Sequence, residues 1–204
     1  LGTGSTTALF VDLLGEAVAA GKVKDLVGIP TSEATARQAR TLGIPLGTLS
    51  EHPAIDLAVD GADEVDPGLD LIKGLGRALL REKVVEVHAR LFAVVVDESK
   101  LVSRLGSHCP LPVEILPFEA AAHVRWLNTL GCRAEWWLEA DGSPVSTDNG
   151  NYLARCWFPE GISDPRSLAL TLAGRPGIIE HGLFIDMADL VIVARPEGVQ
   201  VRRR

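Results

Sequence analysis

Over residues 1–106, stretches with the 3.6-residue period of a helix alternate with short apolar runs, and this restricts the fold more than any other feature. Helices are expected over 6–20, 32–42 and 77–90, and strands over 26–29, 55–59, near 70–73 and over 91–96. Such an order indicates βαβ units around a mostly parallel sheet. Val94-Val95-Val96 is β-branched and apolar, as a strand covered on both faces should be. Ser5 or Thr6 suits the N-cap of the first helix and Gly21 its C-terminal stop; Thr31 or Ser32 opens the second and Gly43 ends it.

After Gly106 the character changes. Cys109-Pro110-Leu111-Pro112 is a stiff linker. Beyond it come strand 113–116, helix 118–130, strand 133–138, a turn at Asp141-Gly142, strand 151–158, helix 165–173 and strand 178–184. This βαββαβ order is the split ferredoxin-like pattern. Asp189 to Val193 then supplies a last strand that rejoins the first domain. The expected division is a catalytic α/β domain over 1–106, completed by 185–204, with a smaller α+β domain over 107–184. Trp136, Trp137, Tyr152 and Trp157 fall in the central strands of the second, as cross-strand packing.

Chemistry concentrates where the apolar run Ile55 to Val59 ends. Asp60-Gly61-Ala62-Asp63-Glu64 follows it, and Lys73-Gly74-Leu75-Gly76 precedes the helix that starts at Arg77. Open α/β sheets bind small ligands at the carboxyl ends of their strands, beside helix starts. On that helix Ala78, Glu82 and Val85 lie at i, i+4 and i+7, so Glu82 shares a stripe with apolar side chains while Arg81 and Lys83 point elsewhere. Desolvation there raises a carboxylate's pKa and improves it as a proton acceptor near neutral pH. An arbitrary helical glutamate is more often solvated and paired with a cation; the lysine and two aspartates close by in sequence favour a catalytic role.

A second glycine loop opens the chain. Gly2-Thr3-Gly4-Ser5-Thr6-Thr7 leads into the first helix and offers backbone N–H groups, hydroxyls and the positive end of a helix dipole, which suit a phosphate. It is not a Walker loop, since no Gly-Lys-Ser/Thr follows, and it lacks the full dinucleotide spacing. An ordinary helix cap explains it equally well when taken alone.

Together these segments resemble the type A family of ribose-5-phosphate isomerases. The resemblance rests on Gly2 to Thr6, Asp60 to Glu64, and Lys73-Gly74-x-Gly76 with Leu80-Arg81-Glu82-Lys83. Asp97 to Lys100, Pro110 to Glu114, Thr147 to Asn151 and Gly182-Leu183-Phe184 extend it over nearly the whole chain. It implies interconversion of ribose 5-phosphate and ribulose 5-phosphate without metal or organic cofactor. Position by position, it makes Glu82 the proton-transferring base. Asp60, Asp63 and Lys73 become sugar-contacting groups, Thr3, Gly4, Ser5 and Thr6 the substrate loop, and Lys100 a lysine of the substrate site. Gly61, Ala62, Gly74, Leu75 and Gly76 complete the substrate-binding set. Two positions depart from the family: Leu75 stands where a third consecutive glycine is usual, and Arg77 replaces a small residue. Family members usually carry a helix and a strand ahead of this point, so the chain is expected to be a truncated piece.

The same residues suit the chemistry without a family name. Moving a carbonyl between C1 and C2 needs one base to take a proton from one carbon and return it to the other through an enediolate. Glu82 is the candidate base. Lys73 and the N–H groups around Gly74 and Gly76 are candidate donors to the developing oxyanion. Asp60 and Asp63 suit hydroxyl binding and acid–base opening of the furanose ring. Lys73 as a Schiff-base nucleophile ranks second. A sugar-phosphate deaminase or coenzyme A transferase on a related sheet leaves the block from Lys73 to Glu82 unexplained. A sugar-phosphate-sensing domain without activity would have no use for a desolvated Glu82.

The rest of the composition narrows the setting. A net charge of −7 argues against nucleic-acid binding, and Arg202-Arg203-Arg204 is expected to be a solvated chain end. No apolar run approaches the roughly 20 residues that span a bilayer, so no membrane partner is expected. Cys109, Cys132 and Cys156 are odd in number and far apart, which suggests reduced thiols in a cytoplasm. Neither they nor the five scattered histidines show metal-ligand spacing, so no metal is expected. The expected whole is a Rossmann-like α/β sheet with helices on both faces and an inserted ferredoxin-like domain, assembled as a homodimer or homotetramer.

Overall fold

The computed structural model describes residues Leu1–Arg204. In chain order the elements begin with α1 (Ser5–Ala19), α2 (Glu33–Thr41), β1 (Ala58–Asp60), β2 (Glu64–Val65), β3 (Leu71–Ile72) and α3 (Leu79–Glu86). Then come β4 (Phe92–Asp97), β5 (Leu111–Ile115), α4 (Ala120–Leu127), β6 (Arg133–Trp136) and β7 (Tyr152–Trp157). The chain ends with α5 (Pro165–Ala173), β8 (Ile178–His181), β9 (Leu183–Phe184), β10 (Leu190–Arg195) and β11 (Gly198–Arg203). No helix is long and apolar enough to cross a membrane.

The chain folds into two compact units. The first comprises Leu1–Gly61, Arg81–Glu98 and Met187–Arg204; the second comprises Ala62–Leu80 and Ser99–Asp186. In the first, one sheet runs in the order β1-β4-β10-β11. β1, β4 and β10 are parallel, with Asp60 beside Val94 and Val94 beside Val191, whereas β10 and β11 form an antiparallel hairpin. β4 has neighbours on both sides, which is where its valines belong. Phe10 of α1 packs on Val59, Ala93 and Leu190, and Val11 meets Ala39 of α2 and Ile44.

Local signals explain most helix ends. Ser32 caps α2 by accepting from Thr35 N–H at 3.0 Å, and Gly43 leaves it with φ 70°. Gly21 follows α1 with φ 67°. The N-cap of α1 is Gly4 rather than Ser5 or Thr6, with no side chain closing the helix.

Several elements differ from expectation. Of the segment expected as a stiff linker, Leu111 and Pro112 are already strand in β5. The strand placed over 178–184 is two strands in different sheets, β8 and β9, and the strand near 70–73 is β3 of a small antiparallel sheet rather than of the parallel one. The helix placed over 77–90 is confined to α3, because Arg77 takes φ 66° and donates its N–H back to Gly74, a turn that delays the helix start. Residues 26–29 form no strand beyond a single bridge from Gly28 to Leu46. Of 55–59, only Ala58 onward is strand; Ile55 makes one bridge to Ala89. The arginine tail is ordered as β11, and Arg204 N–H bonds Asp189 O at 3.0 Å. Its Val199 and Val201 alternate with Gln200 and Arg202 on an exposed edge that charge protects.

The second unit holds two antiparallel sheets, β2-β3-β9 and β6-β7-β5-β8. Leu111, Val113 and Ile115 face a core with Val124 and Leu127 of α4 and Leu172 of α5. On the alternate register, Glu114 is fully buried; its Oε1 accepts from Thr147 Oγ1 at 2.9 Å, Asn149 Nδ2 at 3.3 Å and Asn151 Nδ2 at 2.8 Å. This contact ties the Pro110–Glu114 segment to the Thr147–Asn151 loop. Trp136 and Tyr152 stack edge to face at 6.1 Å, the expected cross-strand packing.

Candidate active site

Within the first unit the site residues gather around Asp60, the last residue of β1. Its side chain is 1% exposed. Oδ1 accepts from Thr3 N–H at 3.1 Å, Thr7 Oγ1 at 2.9 Å and Gly61 N–H at 2.7 Å. Three donors on one oxygen fix the orientation of the carboxylate. Gly2 is required there, since a Cβ would collide with the Asp60 side chain. Thr3 Oγ1 lies within 2.8–3.1 Å of the hydroxyls of Thr31, Ser32 and Thr35, so its side chain is committed to the protein. Gly4 (φ 120°) and Ser5 are exposed at the start of α1. With no side-chain cap, the first N–H groups of that helix are left for solvent or an anion.

Glu82 lies in the first turn of α3 and is 2% exposed; Ala78 and Val85 on the same stripe are 7% and 6% exposed. Arg81 points away and pairs with Glu33 at 3.0 Å. The apolar stripe is therefore present as the spacing predicts.

Within the second unit, Asp63 Oδ2 accepts from Leu75 N–H at 2.9 Å. The strand-end carboxylate thus holds the glycine loop, and Leu75, bulkier than glycine, contributes a backbone donor that any residue supplies. Gly74 (φ 109°) is dictated by space as well as conformation, because a Cβ would meet Leu79 at 2.8 Å. The turn uses the N–H groups of Leu75 and Arg77 and not those of Gly74 and Gly76. Lys73 is 2% exposed, with its N–H on Gly182 O at 2.9 Å and its ammonium 5.4 Å from the Phe184 ring centre. Gly182 and Phe184 thereby find a use beside Lys73. Lys100 ends a short 3-10 turn, Glu98–Lys100, and is half-buried. The Cys109 thiol is pushed well above its ordinary pKa, by burial foremost and then by Glu64 and Asp63, while Lys100 opposes the shift.

Sequence reasoning missed two residues. Thr7 both donates to Asp60 and accepts from Gly61 N–H at 3.1 Å; its only signal was a hydroxyl one helical turn after Thr3. Glu64 is fully buried, and its carboxylate accepts from the N–H groups of Gly106 at 2.5 Å, His108 at 2.6 Å and Cys109 at 2.8 Å. A carboxylate inside a two-residue strand announces such a role only by being out of place there.

The chain passes from one unit to the other between Gly61 and Ala62, and back between Leu80 and Arg81. Gly2 to Thr6, Asp60, Gly61 and Glu82 therefore belong to the first unit, and Ala62, Asp63, Lys73 to Gly76 and Lys100 to the second.

The family model for ribose 5-phosphate isomerase A (phosphoriboisomerase A) matches residues 27–198. The chain belongs to this family. It is 49% identical to ribose-5-phosphate isomerase A of Chloroflexus aurantiacus over 98% of this chain and 83% of that protein. It is 48% identical to that of Pyrococcus abyssi over 100% and 89%. A probable chloroplastic ribose-5-phosphate isomerase 3 of Arabidopsis thaliana is 48% identical over 98% and 75%. Among solved structures, a D-ribose-5-phosphate isomerase in complex with phospho-erythronic acid superposes with a TM-score of 0.97 at 46% identity, covering 100% of this chain and 89% of that one. The enzyme from Methanocaldococcus jannaschii gives 0.94 at 40% identity, with the same coverage.

Proposed function

We propose that this protein is an aldose–ketose isomerase that interconverts D-ribose 5-phosphate and D-ribulose 5-phosphate through an enediolate, with Glu82 as the base. The observation that carries this reading is the buried carboxylate of Glu82 on the apolar stripe of α3, one short helix start beyond the Lys73–Gly76 donor loop, in a chain of this family. Glu82 takes the C2 proton of the open-chain aldose and returns it to C1, while O1 gains a proton and the O2 hydroxyl gives one up, so that the C1 carbonyl becomes the C2 carbonyl. Lys73 and the N–H groups of Gly74 and Gly76 receive the oxyanion; one such donor is worth about 3–4 kcal/mol of barrier. Asp60 and Asp63, each aimed by backbone N–H groups, bind hydroxyls and exchange protons as the furanose ring opens. Gly4 to Thr6 and Lys100 hold the rest of the sugar phosphate, and Thr3 shapes the loop through its bonds to Asp60 and to the Thr31, Ser32 and Thr35 hydroxyls.

The chemistry uses carboxylates, an ammonium group and amides, and calls on no metal or organic cofactor. Residues 107–184 are read as a ferredoxin-like α+β domain inserted into a catalytic domain made of 1–106 and 185–204. The antiparallel order β6-β7-β5-β8, with α4 and α5 between its strands, supports the ferredoxin-like part, whereas the compact units group 62–80 and 99–106 with it rather than with the first unit. The protein is placed in the cytoplasm as a homodimer or homotetramer, and its three free cysteines suit a reducing compartment.

A coupled assay with ribose 5-phosphate tests the activity. Turnover in D2O with deuterium entering ribulose 5-phosphate at carbon is expected, since a carboxylic acid exchanges its proton with solvent. Tight binding of ribose 5-phosphate without turnover would instead make the protein a sensor.

A further inference from the structure

We infer that Arg77, Glu139 and Trp137 form a clamp that sets the conformation of the Gly74–Arg77 turn, which makes Arg77 a positioning residue for isomerisation. The inference rests on the functional reading above, in which this turn presents the N–H groups of Gly74 and Gly76 to the oxyanion.

Arg77 is a non-glycine residue at φ 66°, in the left-handed region that a side chain disfavours. Its backbone closes the turn, N–H to Gly74 O at 2.9 Å. Something outside the turn must offset that strain, and the Arg77 side chain supplies it. Nη1 bonds Glu139 Oε1 at 2.6 Å, Nη2 reaches Oε2 at 3.5 Å, and the guanidinium carbon stands 5.4 Å from the Trp137 ring centre. A guanidinium fork on a carboxylate combined with a ring face fixes direction as well as distance.

The receiving side is itself rigid. Trp137 and Glu139 sit on a hairpin closed by Val145 N–H to Trp137 O at 2.8 Å, Glu139 N–H to Ser143 O at 2.8 Å and Gly142 N–H to Glu139 O at 3.0 Å. Trp137, like Leu80, also packs against the buried cluster of Leu79, Val145 and Leu153, so the residues just after the turn share a core with this indole. Asp63 holds the turn from its other end through Leu75 N–H. Between these two attachments lies Gly76, the residue with no side chain to hold it.

The test compares Arg77→Ala, Arg77→Lys, Glu139→Gln and the double variant Arg77→Ala/Glu139→Gln with the parent, all corrected for folded fraction by thermal melting. A sub-ångström drift of the donors predicts kcat about tenfold lower in Arg77→Ala, with KM within about twofold, because such donors act in the transition state. Glu139→Gln is expected to lose activity in the same sense, Arg77→Lys to recover part of it, and the double variant to be no worse than Arg77→Ala. Loss of melting temperature with parental kcat would reduce the clamp to a stabilising contact and overturn the inference. Additive losses in the double variant would overturn it too. A parent that turns over ribose 5-phosphate while every variant matches it rejects the clamp alone; a parent without turnover rejects the functional reading and the clamp with it.

Discussion

Asp60 illustrates how much of the proposed active site is built before any substrate arrives. One oxygen takes three donors, two of them backbone N–H groups: that of the neighbouring Gly61 and that of Thr3, which only the folded chain brings near. Thr7 is the third, and replacing it by valine keeps shape while deleting a donor and an acceptor. Thr7→Val is expected to lower kcat/KM by about 10–100-fold and to cost about 1–3 kcal/mol of stability, read from steady-state rates and urea denaturation. At this scale the chain was legible where period or motif spoke. The i, i+4, i+7 stripe put Glu82 in an apolar row, and it is buried. Thr7, Leu75 N–H on Asp63 and the Thr3 hydroxyl cluster were not legible, because each depends on which loops meet across 12 or more residues.

Among elements, caps and buried carboxylates do the fixing. Ser32 binds one orphan N–H of α2, so Ser32→Ala should destabilise the protein by about 1 kcal/mol in chemical denaturation. Glu64 does more, since its carboxylate gathers three N–H groups of the 106–109 loop. In Glu64→Gln an amide NH2 replaces one acceptor and faces an N–H, which predicts a loss of about 1–3 kcal/mol, visible as a lower denaturation midpoint at unchanged slope. Helix existence was legible from period and caps, yet α3 came out shorter because the Gly74–Arg77 turn, set by tertiary contacts, takes the residues that helix propensity would have claimed. The tail went unread for a related reason. Gly198 to Arg203 has little apolar content of its own, and its order comes from pairing with β10.

For the whole molecule, alternation over residues 1–106 anticipated β1 and β4 of the parallel sheet, the separate apolar run Asp189–Val193 anticipated β10, and the βαββαβ order anticipated the second unit's antiparallel sheet β6-β7-β5-β8. Of the small sheet β2-β3-β9, the run near 70–73 reads as a strand of the parallel sheet and Leu183-Phe184 as the end of strand 178–184, while β2 does not read as a strand at all, because strands of two residues carry no period. Global stability has a predictable pH response at His123. Burial foremost, and Arg175 next, hold its pKa below the ordinary histidine value. The unfolded chain therefore binds this proton more readily than the folded one. The contribution is fully present above the ordinary histidine pKa and is lost as pH falls below it. Denaturation midpoints should fall between about pH 7.5 and 5, and His123→Gln should make that fall shallower.

The central claim is that the Glu82 carboxylate moves one proton between the first two carbons of an open-chain pentose phosphate. Steady-state turnover of ribose 5-phosphate by Glu82→Gln, with substrate binding measured separately by calorimetry, tests it most directly. The amide keeps the shape and cannot accept the proton, so kcat is expected to fall by about 10³-fold or more while the dissociation constant changes little. A variant that turns over at a rate comparable to the parent would contradict the assignment.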